Sequence, residues 1–361
     1  MITDHPWRGI DVEAAICAAA GFELVDAALV DAAPRDAAPR DAAPRDAAPR
    51  DAAPRDDPAA LQALVNEVDA VGILTNWAPV TAALIESCPH LRVVSRLGVG
   101  VDNIDVAAAA AHGVVVTRVP DYCVEEVSDH AVAMVLAWAR GITFFDREVR
   151  AGRFDPGAHA LRRVRDLVVG IWGAGRNGTA TGRKLAAFGC TVLVDDHHGQ
   201  DDHHGQADHH GQDDHHGQDD HHGQAGPFEA VRVDELLGRS DVVSIHLPLT
   251  DETRGIVDAG VLSRMRPGSL LVNTGRGRLV DVDALVAALD MGRPGAAALD
   301  VLPEEPHVPP GLAGRDDVLI TPHVAFSSVE SVAEVRRRAT EDLVRVLSGE
   351  EPRDPYLPVV P

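Results

Sequence analysis

Three residues in the second half of the chain have side chains suited to carboxylate binding and proton transfer. Each stands at or just beyond the end of a short apolar run. Arg276 follows "SLLVNTG" (269–275), Glu305 comes soon after Asp300 of "AAALDV" (296–301), and His323 closes "DVLITPH" (317–323). A guanidinium binds a carboxylate through two parallel N–H···O bonds and polarises a neighbouring carbonyl. An imidazole donates or removes an alcohol proton near neutral pH. A carboxylate hydrogen-bonded to that imidazole stabilises the imidazolium and fixes its orientation. Taken singly, each residue has a plainer reading: Arg276 as a surface charge, Glu305 as a loop carboxylate, His323 as a capping residue after Pro322.

A fourth signal lies upstream, in "LVVGIWGAGRNGTATGRKLAAFGCTVLVDD" (167–196), where Gly173, Gly175 and Gly178 form G-x-G-x-x-G. The signature is weak by itself. Here it follows an apolar run and opens a helical stretch leading into "TVLV", the context that a dinucleotide site demands. Gly173 permits the tight turn, Gly175 lets a pyrophosphate approach the backbone, and Gly178 lets helix and strand pack closely. Open N–H groups at the helix start then face the phosphates. Asp196, 18 residues beyond Gly178, sits where a carboxylate accepts from both adenosine ribose hydroxyls, which favours NAD over NADP. Arg, Glu and His beside a nicotinamide describe reduction of a 2-oxo acid or oxidation of a 2-hydroxy acid.

The elements that must position these groups follow an α/β rhythm. Strands are expected within 70–76, 92–98 and 113–119, then at "LVVGIWG", "TVLV", 241–248, 269–275, 296–301 and 317–323, with helical stretches between them. That alternation indicates parallel sheets. A long helix is expected from about Ser128 to Gly152, separating the two halves. In an open parallel sheet, ligands bind beyond the carboxyl ends of the strands. Arg276, Asp300, Glu305 and His323 should therefore gather on the edge that carries the glycine turn.

Composition narrows the classes of function. The net charge of −23 argues against nucleic acid or an anionic membrane as a main partner, since both need a basic face. The longest apolar stretch, "AVAMVLAWA" (131–139), is too short to span a bilayer, and the opening "MITDHPWRGI" does not read as a signal peptide. Cys17, Cys88, Cys123 and Cys190 lie far apart without CxxC spacing, which suits reduced thiols in a cytoplasm and no zinc site.

Two tandem repeats interrupt the rhythm: "DAAPR" five times over 31–55, and five "DDHHGQ"-type hexads over 195–224, with Ala207 replacing one Asp. Units this short, without a large apolar side chain, cannot stack as solenoid repeats. Without the extra copies the flanking residues read as ordinary connections, the first as strand ("FELV"), loop, helix and strand. Both runs are expected to be lengthened loops. The ten histidines of the hexads resemble ligands of first-row metals, although flexible His-rich runs bind such ions adventitiously.

The strings "SRLGVGVDNIDVAAA" (95–109), "VPDYCVEEVSDHA" (119–131), "GAGRNG" (173–178), "HLPLTDETRGIV" (246–257), "NTGRGRLVD" (273–281), "ALDVLPEEP" (298–306) and "TPHVAFSS" (321–328) resemble the D-isomer-specific 2-hydroxyacid dehydrogenases. Within that family the resemblance is to the branch of phosphoglycerate dehydrogenase-like enzymes and C-terminal-binding proteins. It implies an α/β chain of two doubly wound domains, a Rossmann NAD-binding domain inserted into a flavodoxin-like substrate (catalytic) domain. The substrate domain would comprise 1–119 and 325–361, with the DAAPR loop at 31–55. The NAD-binding domain would comprise 120–324, with the hexad loop at 195–224. The resemblance also implies a homodimer acting on a small 2-hydroxy or 2-oxo acid.

By position, it makes Arg276 the carboxylate binder, His323 the acid/base and Glu305 its partner. The turn from Arg96 to Gly100, Val99 included, would offer N–H groups to the substrate carboxylate, and Phe326 would wall its pocket. Cofactor contacts are implied at Val127, Gly173, Ala174, Gly175, Arg176, Asn177, Gly178, Asp196, Leu247, Pro248, Thr274, Gly275 and Asp300. His246 is read as structural. Departures from the family pattern are Gly275 and Arg278 around Arg276, Asn177 in the glycine turn, and only "MIT" left for a first strand. An alternative reading is an NADH-sensing, peptide-binding co-regulator of the C-terminal-binding protein type.

Overall fold

The computed structural model describes residues 1–27, 57–195 and 228–356. Two compact units emerge from the packing, Met1–Tyr122 with Ser328–Pro361, and Cys123–Ser327. The whole DAAPR run and every hexad residue from Asp196 on lie outside the described residues.

In the first unit, helices α1 (Asp11–Ala19) and α2 (Pro58–Glu67) precede strand β1 (Gly72–Thr75). There follow α3 (Ala82–Ser87), β2 (Val93–Arg96), α4 (Val106–Ala111) and β3 (Val115–Thr117). Asp57, Thr81 and Asp105 cap α2, α3 and α4 by accepting first-turn N–H groups, each cap being worth about 1 kcal/mol. The strands pair in parallel in the order β1-β2-β3. Ile2 bridges both Leu74 and Asp26 in the parallel sense. "FELV" makes no strand. Its place in the sheet is taken by that single Ile2–Asp26 bridge, with Ile2 N–H donating to Val25 O at 2.9 Å. One face of the sheet packs Ile73, Val94 and Val116 against Leu61, Leu64, Leu84, Ile85 and Ala109 of the helices.

The second unit opens with α5 (Val124–Ala139) and α6 (Ile142–Arg150). The single long helix expected over 128–152 is in fact these two, because Gly141 takes a left-handed φ of 61°, which ends a right-handed helix. No residue of α6 is buried, so no core contact holds it in line with α5. Next come β4 (Val168–Trp172), α7 (Arg176–Ala187), β5 (Thr191–Asp195) and β6 (Phe228–Ala230). The unit continues with α8 (Val233–Arg239), β7 (Val242–Ile245), α9 (Ala259–Arg264) and β8 (Leu270–Asn273). It ends with α10 (Val282–Asp290), β9 (Ala296–Leu299) and β10 (Val318–Ile320). Helix α11 (Val329–Leu347), with a capping box at Ser328 and Ser331, returns to the first unit. There its Leu343 and Leu347 lie within 3.3 Å of where a side chain on Gly72 would start.

The seven strands run parallel in the order β10-β9-β8-β7-β4-β5-β6. Strand side chains alternate between two cores, as the pleat requires. Val169, Ile171, Val242 and Val272 face α5 and α7, while Trp172, Val243, Ile245 and Leu271 face α8, α9 and α10. β6 was not anticipated. Two of its three residues are exposed, and Phe-Glu-Ala offers no apolar run to read.

Candidate active site

The strand registers line up one row of residues across the second unit. Trp172 stands opposite Asp195 and Ile245, Ile245 opposite Asn273, Asn273 opposite Leu299, and Leu299 opposite Ile320. Each of these residues ends its strand. Gly173, His246, Thr274, Asp300 and Thr321 therefore begin the loops on a single edge. β4 lies between β5 and β7, so the order in which the strands are laid down reverses beside Gly173. Such a reversal is where open α/β sheets bind ligands.

Two turns on this edge bring the predicted chemistry together. After β8, Asn273 is fully buried, takes the Gly275 N–H at 3.0 Å and donates to Arg276 O at 2.9 Å. The turn holding Arg276 is therefore fixed by an asparagine that sequence reasoning passed over. Its only signal was a polar residue at the end of a buried strand. Arg276 Nη1 donates to Gly275 O at 3.0 Å. Gly277 then meets the second turn so closely that an added Cβ would lie 2.0 Å from the Leu302 carbonyl carbon. Glu305 in that second turn accepts from Leu302 N–H at 2.9 Å and meets His323 Nδ1 at 2.8 Å. The His323 and Glu305 side chains are 22% and 33% exposed, so a small solute can reach the pair. Burial pushes the Glu305 carboxyl up, but the His323 hydrogen bond and charge, the Leu302 N–H and the Arg276 charge outweigh it. The net effect holds Glu305 below the ordinary carboxylate range.

His323 has a φ of 53°, a left-handed conformation that costs a side-chain-bearing residue roughly 1–2 kcal/mol. Asp300 offsets this cost, with its carbonyl accepting from His323 N–H at 2.8 Å. The Asp300 carboxylate accepts from the Val324 and Ala325 N–H groups at 3.0 and 2.9 Å. Phe326 presents an edge-to-face ring 6.1 Å from the imidazole. His246 is different. Burial lowers it to about 4, and its Nε2 lies 2.9 Å from Ser244 Oγ.

At Gly173 and Gly178 the turn has the tight, closely packed form that the spacing predicts. Gly173 has a φ of 100°, donates to Asp195 O at 2.9 Å, and leaves no room for a Cβ beside the His246 carbonyl and Leu247. A Cβ on Gly178 would lie 2.0 Å from Gly173 O, so α7 and the turn touch backbone to backbone. Among the described residues, nothing lies within 4 Å of the Gly175 Cβ position and no side chain caps α7 there. Ala174 O takes the Thr179 hydroxyl, leaving the Arg176 and Asn177 N–H groups in the open first turn. Thr274 is buried with its Oγ1 unpartnered among the described residues. An open helix N-terminus, a cradle closed to any Cβ and a waiting hydroxyl fit a dinucleotide. Leu247 is buried, Pro248 O accepts from Thr253 Oγ1 at 2.6 Å, and Val127 is buried on α5. The acid at the β5 end that falls within the described residues is Asp195, buried and opposite Trp172.

In the first unit, Arg96 is buried at the end of β2, donating to Asn76 Oδ1 at 2.8 Å and Leu97 O at 2.7 Å. In the turn beyond it, the N–H groups of Gly98, Val99 and Gly100 donate to no backbone carbonyl among the described residues. Val99 and Gly100 are half-buried. A run of open N–H groups suits an anion. No group of three or more His, Cys, Asp or Glu could hold a metal ion among the described residues.

Residues 132–325 match the model of the NAD-binding domain of D-isomer-specific 2-hydroxyacid dehydrogenases. The chain is 33% identical over 294 residues to the D-3-phosphoglycerate dehydrogenase of Mycobacterium leprae, covering 81% of this chain and 52% of that protein. It thus spans about half the length of that relative. It is 34% identical over 295 residues to the glyoxylate reductase of Korarchaeum cryptofilum, covering 80% of this chain and 82% of the relative. Among solved structures, a D-lactate dehydrogenase from Aquifex aeolicus, complexed with NAD and lactic acid, superposes with a TM-score of 0.68 at 27% identity, covering 80% of this chain and 86% of that one. Nothing in these likenesses favours the co-regulator reading. With the glycine turn, the Arg276, Glu305 and His323 turns and these relatives in agreement, the chain belongs to the D-isomer-specific 2-hydroxyacid dehydrogenases.

Proposed function

We propose that the protein is an NAD-dependent D-2-hydroxyacid dehydrogenase that works as a reductase of 2-oxo acids. The observation that carries this reading is the 2.8 Å His323–Glu305 contact, on the edge shared with the Arg276 turn and the glycine turn. When bound, the nicotinamide supplies the hydride that adds to C2 of the 2-oxo acid. The residues of the chain do the rest. Arg276 binds the substrate carboxylate and draws electron density from the adjacent carbonyl. With Nδ1 engaged by Glu305, Nε2 is the ring nitrogen through which His323 delivers a proton to the carbonyl oxygen as it becomes an alkoxide. The Glu305 carboxylate balances the imidazolium before transfer. The N–H groups of the Arg96–Gly100 turn are proposed as further carboxylate donors, and Asp196 as the ribose acceptor.

The names of the relatives indicate the first substrates to try: glyoxylate, pyruvate and the 2-oxo form of phosphoglycerate. The experiment is a panel of 2-oxo acids followed by NADH absorbance. Arg276→Ala should lower kcat/KM roughly 10²–10⁴-fold, the loss of two charge-assisted hydrogen bonds of about 1.5–3 kcal/mol each. A protein that binds NADH yet reduces none of the panel would defeat the proposal.

We also infer a homodimer. Ile142 and Val149 of α6, with Phe154 beyond it, are 59%, 50% and 87% exposed, an apolar strip suited to a second copy. Sedimentation equilibrium tests it, and a monomer at micromolar concentration would contradict it. Cys17, Cys88, Cys123 and Cys190 are all buried and none is in a disulfide, which fits a reducing cytoplasm. No helix among the described residues is long and apolar enough to cross a membrane.

A further inference from the structure

We propose that His130 and Thr321 are positioning residues for His323, acting through a half-buried hydrogen-bonded chain that ends on the buried Asp300. The inference rests on the reading of His323 as the acid/base. Its starting point is the loop 321–325, where one carboxylate fixes the backbone on the far side of a left-handed histidine. Asp300 has a side chain with no exposure. Its Oδ1 takes the Val324 N–H and its Oδ2 the Ala325 N–H. Thr321, the first residue after β10, donates its hydroxyl to the same Oδ1. Behind it stands His130 of α5, with Nε2 3.0 Å from Thr321 Oγ1 and 3.6 Å from Asp300 Oδ1.

The direction of the chain follows from the donors available. A threonine hydroxyl has one proton, and here it goes to Asp300. Thr321 Oγ1 must therefore accept from His130, whose Nε2 bears hydrogen. The sequence of donors runs His130 to Thr321 to Asp300. On Asp300 it meets the two N–H groups that hold the residues just after His323. His323 N–H itself bonds to Asp300 O at 2.8 Å and to Thr321 O at 3.0 Å. The imidazole therefore sits on a loop whose backbone has little freedom while the chain is intact. With the chain broken, Asp300 loses a donor and the left-handed residue loses part of what holds it. Nδ1 then no longer meets Glu305 at a fixed angle. Neither His130 nor Thr321 needs to touch substrate for this effect.

The test uses the full chain, NADH and the 2-oxo acid it reduces best. Thr321→Val keeps the shape and removes the hydroxyl, and Thr321→Ser restores it. His130→Leu removes the donor, and His130→Gln supplies another. Thr321→Val and His130→Leu should lower kcat about tenfold or more, the scale expected when a reacting group is misplaced. The NADH dissociation constant, read by fluorescence without substrate, should stay within about twofold. Thr321→Ser and His130→Gln should return kcat to within about threefold of wild type. Independently of turnover, amide exchange at Val324 and Ala325 should speed up in Thr321→Val and not in Thr321→Ser.

Wild-type kcat in Thr321→Val, equal losses in Thr321→Val and Thr321→Ser, or a loss seen entirely as weaker NADH binding would each overturn the proposal. Should Thr321→Val fail to show a cooperative melt, the His130 pair decides on the same criteria. His323→Ala separates the two readings. If turnover survives it, the acid–base assignment has failed. If turnover is lost there but not in Thr321→Val, the positioning proposal alone has failed.

Discussion

At Glu305 opposing influences meet on one carboxyl: burial disfavours its charge, while His323, the Leu302 N–H and Arg276 favour it and prevail. A carboxyl held below its unfolded value stabilises the fold above the ordinary carboxylate range, and that stability is lost as pH falls through the folded value. Wild type should therefore melt above Glu305→Gln at neutral pH, with the gap closing as the solution is acidified below that range. The same variant should slow turnover by about tenfold or more, since acid–base catalysis contributes roughly 10²–10⁴-fold and Glu305 is proposed to orient its proton carrier. A gap in melting temperature that persists at acid pH would show that packing, not charge, sets it. His246 makes the contrast. Burial lowers it from 6.5 to about 4, so the unfolded chain binds its proton more readily and stability falls as pH drops from about 6.5 towards 4. His246→Gln should remove that acid lability while leaving turnover within about threefold, and thermal melts across the range check it. At this scale the sequence was legible in the gathering of Arg276, Glu305 and His323 on turns beyond the carboxyl ends of their strands, where charged side chains stand out after apolar runs. Asn273, Thr321 and His130 were not. Amide, hydroxyl and imidazole act here on backbone or on one another, and no spacing announces those partners.

Elements place these groups through glycines that differ in what surrounds them. A Cβ on Gly178 would meet a carbonyl oxygen at 2.0 Å, whereas one on Gly175 meets nothing within 4 Å among the described residues. Gly175→Ala should therefore melt within about 0.5 kcal/mol of wild type, as expected for a substitution away from packed features. It should still bind NADH more weakly, because the methyl stands where a pyrophosphate must approach. Gly178→Ala should lose about 1–3 kcal/mol of stability through overpacking, measured by denaturant unfolding. Equal NADH affinity in Gly175→Ala and wild type would count against the turn as the phosphate seat. Spacing encodes this unit because G-x-G-x-x-G states which backbones touch. Two features at the same scale left no such trace. Gly141 breaks the helix expected over 128–152 through a left-handed φ that sequence does not fix. β6 completes the sheet edge with three residues that have no apolar pattern.

Across the whole molecule, the described residues by themselves supply the apolar clusters of both units, drawn from strands, helices and the turns that join them. The hexads lie between Asp195, which ends β5, and Phe228, which opens β6. Phe228 pairs with Val192 in a parallel register that needs only a connection, not one of a given length. The cost of closing a loop grows by only about 0.6 kcal/mol per doubling of its length. Deleting 201–224 cuts the 32 residues from 196 to 227 to a quarter, keeps Asp196, and should raise stability by about 1 kcal/mol. Deleting 36–55 from the DAAPR run should act in the same direction and by a similar amount. Turnover and NADH affinity should be unchanged in both, because no proposed site residue is removed. Calorimetry with zinc should show binding that depends on the histidine pairs and weakens on loss of 201–224, which holds eight of the ten hexad histidines. These measurements separate an inserted loop from a working part. If the shortened protein melts lower, the hexads pack against the fold. If zinc changes kcat in the full chain and not in the shortened one, the tract regulates the enzyme, because only a tract coupled to the cofactor edge could pass metal binding on to the rate.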